Sequence, residues 1–199
     1  MSTSLFAQTN ALEFANLLVA ARRCHPFWER GGRLTFPGGR NPDQAWQDWI
    51  AQRWQPTLQP ALQDALLHAR HGAFRELCHN DHLLDQQLPA DMGRRSIREA
   101  RLLWQSLRPP QGERLLEKMR HAIVQASTPG HFLPLFAARA AAFHLSDQLT
   151  TATYLFLEAW PILQGAPAVR LQGWLLEAGI DLPAPGSREL LPASSASDS

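Results

Sequence analysis

Lysine is almost missing from this chain: Lys118 is the only one, and arginine supplies the other permanent cations. Arginine is weakly hydrated and forms forked, planar hydrogen bonds, which suits contacts between proteins. The cations are scattered and the net charge is only +1. A nucleic-acid footprint needs Lys and Arg gathered on one face, so no such partner is expected. Cysteine is scarce too. Cys24 and Cys78 are the only two, which permits one disulfide at most and excludes a secreted disulfide scaffold. Valine and isoleucine are sparse, and no alternating β-branched run stands between turn signals, so strands are not expected. The apolar stretches are broken by Arg139, His144 or Glu158 before reaching the roughly 20 residues of a transmembrane helix. "MSTSLFAQTNALEF" lacks the basic start and apolar core of a signal peptide. These absences fit a reduced, cytoplasmic protein with no membrane partner.

What is present is helical periodicity. In "RRSIREARLLWQSL", Ile97, Ala100, Leu103, Trp104 and Leu107 recur at spacings of three and four, with Arg94, Arg95, Arg98 and Arg101 mostly on the other side. "GERLLEKMRHAIVQA" repeats the pattern. "HFLPLFAARAAAFHL" is apolar nearly all round, as a central buried helix would be. Ser146-Asp147 reads as a cap for the next helix, which Pro161 should end or kink. Gly179 reads as the C-cap of a last helix. Asn41-Pro42-Asp43 supplies a cap and first-turn proline for "QAWQDWIAQRW", where Trp46, Trp49, Ile50 and Trp54 share a face. The glycine-rich "ERGGRLTFPGGR" lacks the Gly-Lys-Ser/Thr ending of a phosphate loop and reads as a long connection. The fold expected is all-α, one compact bundle of about eight helices over residues 1–182. A Pro/Ser/Ala-rich disordered tail is expected over 183–199.

One stretch is rich in metal-binding residue types. "FRELCHNDHLLDQQLP" carries Cys78, His79 and His82, with Cys78 and His82 one helical turn apart. Two ligands from one turn need two more to close a tetrahedral site. Cys24 and His25 are the available pair, giving the set Cys24, His25, Cys78 and His82. The alternative is an apolar stripe of Phe74, Leu77, Cys78, Leu84 and Leu88, in which Cys78 packs as a small buried hydrophobe. His79 and His82 are then surface or structural residues, and this second reading is preferred. No serine sits in a nucleophile-elbow context and no carboxylate pair stands out, so no catalytic residue is assigned and no enzyme is expected. Glu158, inside an apolar helix, reads as an interface or buried hydrogen-bonding residue.

The order of these segments resembles the UreF family of urease accessory proteins. The likeness runs from about residue 27 to 172. It rests on "PDQAWQDWIAQRW", on "LLDQQLPADMGRRSIREARLLW", and on "GHFLPLFAARAAAFHLSDQLTTATYLFLEAWPILQGAPAVRL" with its closing Arg170-Leu171 pair. The family's N-terminal Ser-Pro-x-Leu-Pro-x-Gly-Gly-Phe-Ser-Tyr signature and its Arg-Leu-Phe-Arg-type ending are absent, as in a diverged or truncated member. The resemblance implies a non-enzymatic all-α protein that acts as a dimer with the GTPase UreG and the accessory protein UreD (also called UreH). That complex delivers nickel to the urease apo-enzyme, with the metal handled by the complex and no cofactor on this chain. Partner contacts would fall on Arg94, Arg98 and Arg170. A maturation chaperone for a different metalloenzyme, and a metal-binding protein built on the Cys/His set above, are the alternatives.

Overall fold

The computed structural model describes residues 15–30, 34–37, 39–105, 114–163 and 168–179. The described residues are helical with turns, and no strand occurs among them. Helix α1 covers 15–24 and buries Leu17, Ala20, Ala21 and Cys24, the i, i+3, i+4, i+7 stripe of one helix face. A short 3₁₀ turn, Trp28–Arg30, precedes residues 34–37, which take no regular secondary structure. Helix α2 (Pro42–Trp49) opens with the expected cap, the Asn41 side chain accepting from the Gln44 N–H with Pro42 in the first turn.

After Trp49 the backbone departs from the expected regular helix. Residues Ile50–Leu58 wind as a π-helix, which continues into α3 (Gln59–Arg70). Pro56 lies inside this stretch, and the Gln59 N–H reaches back five residues to the Trp54 carbonyl. Proline has no N–H and its ring collides with the carbonyl four residues earlier; a wider winding accommodates both without a sharp break. Trp46, Trp49, Ile50 and Trp54 still end up buried together.

Helices α4 (Phe74–Gln87), α5 (Ala90–Gln105), α6 (Arg114–Val124) and α7 (Phe132–Ala142) follow, then α8 (Asp147–Leu163) and α9 (Ala168–Glu177). Helix α7 is the axis of the bundle. Residues Phe132 to Ala140 are all buried, and α3, α4, α5, α6 and α8 each pack on it. Its alanines let α3 approach with Leu62, Ala65, Leu66 and Ala69 inward. A fully buried Leu or Phe contributes about 1.5–3 kcal/mol, so this shared helix dominates cohesion. The Ser146 hydroxyl accepts from the Leu149 N–H as the α8 cap, whereas Asp147 pairs with Arg70. Pro161 does not stop α8 at Trp160. The helix runs two residues past it, because a missing N–H this near the end removes little of the ladder. At the other end of the bundle Trp46 and Trp174 stack at 4.7 Å with Phe36 edge-on to both. The Trp46 indole donates to the Trp174 carbonyl, and the Trp174 indole to Asp43.

Helix ends use left-handed caps, not all of them on glycine. Gly72 (φ 63°) and Gly179 (φ 76°) close α3 and α9, as expected for Gly179, but Ala126 and His144 (both φ 53°) close α6 and α7. At Ala126 the bonds Ala126 N–H to Ile123 O and Ser127 N–H to Ala122 O complete a Schellman motif. An alanine side chain pays a steric penalty there that glycine does not, so Ala126→Gly is expected to stabilise by about 1 kcal/mol in urea unfolding. Gly130 (φ 81°) behaves oppositely. A Cβ there would stand 3.1 Å from Ile123, and Gly130→Ala should destabilise in the same assay. The expected tail, 183–199, lies outside the described residues.

Candidate functional site

The cysteine- and histidine-bearing stretch forms the middle of α4. Its chemistry differs from what those residue types suggested. Cys24 is fully enclosed at the end of α1, beside His25, whose ring sits 5.5 Å from Phe132. Cys78 is half-buried on α4 rather than buried, and His79 and His82 are exposed, with His82 Nε2 3.2 Å from the Ser127 carbonyl. The four-residue set Cys24, His25, Cys78 and His82 is not assembled. Among the described residues no three His, Cys, Asp or Glu side chains converge as a metal group. Burial pushes the Cys24 thiol up to about 12, although Arg139 and Arg23 pull the other way. Burial and then Asp81 also raise Cys78, against a hydrogen bond with Thr128. Since the thiolate is the reactive form, native protein titrated with Ellman's reagent is expected to release one equivalent, from Cys78. Cys24 should react only after denaturation.

The consequential residue of this stretch is Asp81, which the sequence reading passed over. It is fully buried, and its carboxylate accepts from three groups on the segment that leads into α7. Oδ2 receives the Thr128 hydroxyl and the Gly130 N–H at 2.6 Å, and Oδ1 receives the His131 N–H at 2.8 Å. These donors belong to the start of a helix whose first N–H groups have no partner within the helix. A negative charge there is also favoured by the helix dipole. Ser96 of α5 adds its hydroxyl oxygen as acceptor for the Phe132 N–H at 3.0 Å. The His131 ring is buried, with Nε2 3.2 Å from Asp85 one turn further along α4. Side chains of α4 and α5 together therefore fix where the central helix begins.

Glu158 does for the N-terminal part of the chain what Asp81 does for α7. It is fully buried in α8, and its Oε2 accepts the N–H groups of Thr35 (2.8 Å) and Phe36 (2.9 Å). Oε1 faces the Thr35 hydroxyl at 2.7 Å, and the Tyr154 hydroxyl binds the same carboxylate. Burial pushes Glu158 above the usual carboxylate range, while its hydrogen bonds with Thr35, Phe36 and Tyr154 hold it down. This is the buried hydrogen-bonding role expected for it. Arg139, on the buried face of α7, ties down α1 by donating through Nε and Nη2 to the Arg23 carbonyl, and stacks over Phe143 at 5.2 Å.

No family model, curated protein or solved structure matches this chain. Arg94, Arg98 and Arg101 are exposed at i, i+4 and i+7 along α5, while Arg95 turns to Asp91 at 2.8 Å. Arg170 lies in α9, and its side chain is outside the described residues. Between α4, α5 and the end of α6 runs a cleft of about 370 Å³. Its floor is apolar, with Ile97, Ala100, Ile123 and Pro129. On the α4 side stand His82 and Asp85; on the α5 side stand Arg101 and Trp104, the latter covered at 5.0 Å by Arg120. No helix among the described residues is long and apolar enough to cross a membrane.

Proposed function

We propose that this chain is a non-enzymatic accessory protein for metalloenzyme maturation, similar to UreF, that assists nickel insertion into urease. It works by contact with the GTPase UreG, the accessory protein UreD and the apo-enzyme, and the metal travels through the complex. The observation carrying this reading is that the two most telling segments of the resemblance are physically interlocked. Helix α5, with its arginine-serine pattern, packs on α7, and Ser96 accepts the first N–H of that helix. The buried charges Asp81, Glu158 and Arg139 are engaged in holding segments of the scaffold to one another. The exposed arginines of α5 supply a contact face whose planar donors suit carboxylates of a partner.

The test is co-expression of the tagged chain with UreG, UreD and urease from its own host. Recovery of a complex is expected, together with a loss of urease nickel and activity when this chain is omitted. Replacing Arg94 with glutamate should weaken the complex without lowering the melting temperature, since its side chain is exposed, whereas Arg98 also pairs at 3.9 Å with the buried Glu99. If no partner is recovered and urease nickel is the same with and without the chain, the reading is wrong.

A further inference from the structure

A second groove, of about 660 Å³, lies between the first turn of α4 and the outer side of α6. Buried Ala122 and half-buried Phe74 make its apolar floor. One wall is a row along α6, with Arg114, Lys118 and His121 at i, i+4 and i+7. At 100° per residue these three fall within a sector of about 60°. All are exposed, and among the described residues no carboxylate pairs with Arg114 or Lys118. Arg22, Arg70 and Arg95, by contrast, each have an acidic partner. Glu117 is the one acidic residue of the lining. It is turned about 140° from Ala122 around the helix, so the wall beside the floor stays basic. Apart from Ala122 the lining is exposed or half-buried, so the groove is open, unlike sites that enclose most of a small ligand.

We infer that this groove receives an acidic amphipathic helix of a partner protein. Its carboxylates meet the α6 row, and its leucine-type side chains cover Phe74 and Ala122. Charge complementarity sets the sign of the occupant, and spacing sets its conformation. Lys118 and His121 lie at rises of about 6 and 10.5 Å from Arg114, whereas same-side residues of a strand recur at about 7 and 13 Å. A helix with acidic residues at i, i+4 and i+7 repeats the first pair of spacings, the anchor pattern of helix-in-groove recognition. Arg114 offers a forked guanidinium, Lys118 a point charge with three donors, and His121 a ring N–H. The groove belongs to a different helix from the α5 arginines and gives the chain a second place to hold a partner.

Because Lys118 is the only lysine, its acetylation reports on this groove alone. The probe is a synthetic helical peptide, lysine-free and N-acetylated, with glutamates at i, i+4 and i+7 and leucines on the adjoining stripe. Fluorescence anisotropy measures its Kd for the full-length chain. With peptide at about ten times Kd roughly a tenth of the sites stay open, so an amine-reactive ester should acetylate Lys118 about tenfold more slowly. The amino-terminal amine, read in the same mass spectrum, should react as before. Arg114→Glu should weaken binding at least about tenfold by setting like charges together. Arg40→Glu, the same charge change at an exposed site ahead of α2, should leave the affinity as it is, and melting curves verify both folds. Absence of binding, an unprotected Lys118, or equal weakening by the two variants overturns the site. A peptide with serines in place of the leucines that binds as tightly overturns the amphipathic occupant in favour of charge alone. Protection of Lys118 without peptide that grows with protein concentration overturns the partner in favour of a second copy. None of these readouts involves urease, so the accessory-protein reading stands or falls separately.

Discussion

Asp81→Asn, a change of one heavy atom, is expected to destabilise the protein by about 2–3 kcal/mol, the cost of leaving a buried backbone donor unmet. The reason lies in how the donors divide. Oδ1 receives the His131 N–H and Oδ2 receives the Gly130 N–H, so both oxygens face a fixed backbone donor. An amide has one oxygen and one NH₂, and either orientation sets NH₂ against an N–H. Asp81→Ala should cost more, about 3–5 kcal/mol, because a buried hydrogen-bonded network then loses its only acceptor at two backbone sites. For a chain of this length a loss of 3 kcal/mol lowers the melting temperature by roughly 6–12 °C. Urea unfolding measures both variants. A wild-type midpoint for Asp81→Asn would show that the carboxylate does not hold the α7 entrance as described.

The same chemical change at Glu158 is expected to do the opposite. Both backbone donors, from Thr35 and Phe36, converge on Oε2, while Oε1 faces the Thr35 hydroxyl. Glutamine can keep its oxygen toward the two N–H groups and donate its NH₂ to that hydroxyl, which accepts as readily as it donates. Glu158→Gln should therefore be near neutral, whereas Glu158→Ala should cost about 3 kcal/mol through the two abandoned N–H groups. The pH dependence separates them further. Burial holds the folded-state carboxyl above its unfolded value, so the folded chain binds the extra proton. The stability that follows is full below the ordinary glutamate range and is lost as pH rises through the raised folded value. Wild type should weaken relative to Glu158→Gln across that window and run parallel to it above. Parallel curves at every pH would mean that Glu158 is no more costly to ionise folded than unfolded.

Local chemistry was legible in the sequence where a feature rests on neighbours along the chain. The Asn41 and Ser146 caps, the Gly179 terminus, the arginine face of α5 and the all-round apolar α7 each depend on residues within a turn or two. What was not legible depends on partners far away. Asp81 sat unremarked between residues that drew attention as metal ligands, because its donors lie 47 to 50 positions further on. The π-winding at Ile50–Leu58 was hidden because Pro56 also fits an ordinary helix break, and the burial of Ile50, Trp54 and Leu58 along it depends on elements distant in sequence. The cleft draws on three helices and a loop, none of which carries a motif. Glu158 was readable as a buried acceptor from its apolar flanks, but Thr35 and Phe36 as its donors were not.

The pairing of Thr35 with Glu158 spans 123 residues, and that of Trp46 with Trp174 spans 128. A ribosome adding about 5–20 residues per second needs roughly 6–25 s to make the second member of each pair after the first. Through that interval the nascent chain presents Phe36 and Trp46 with no α8 or α9 against which to bury them. The amino-terminal part of this protein thus waits longest to bury its aromatic side chains, and its packing is complete only once Trp174 has been made.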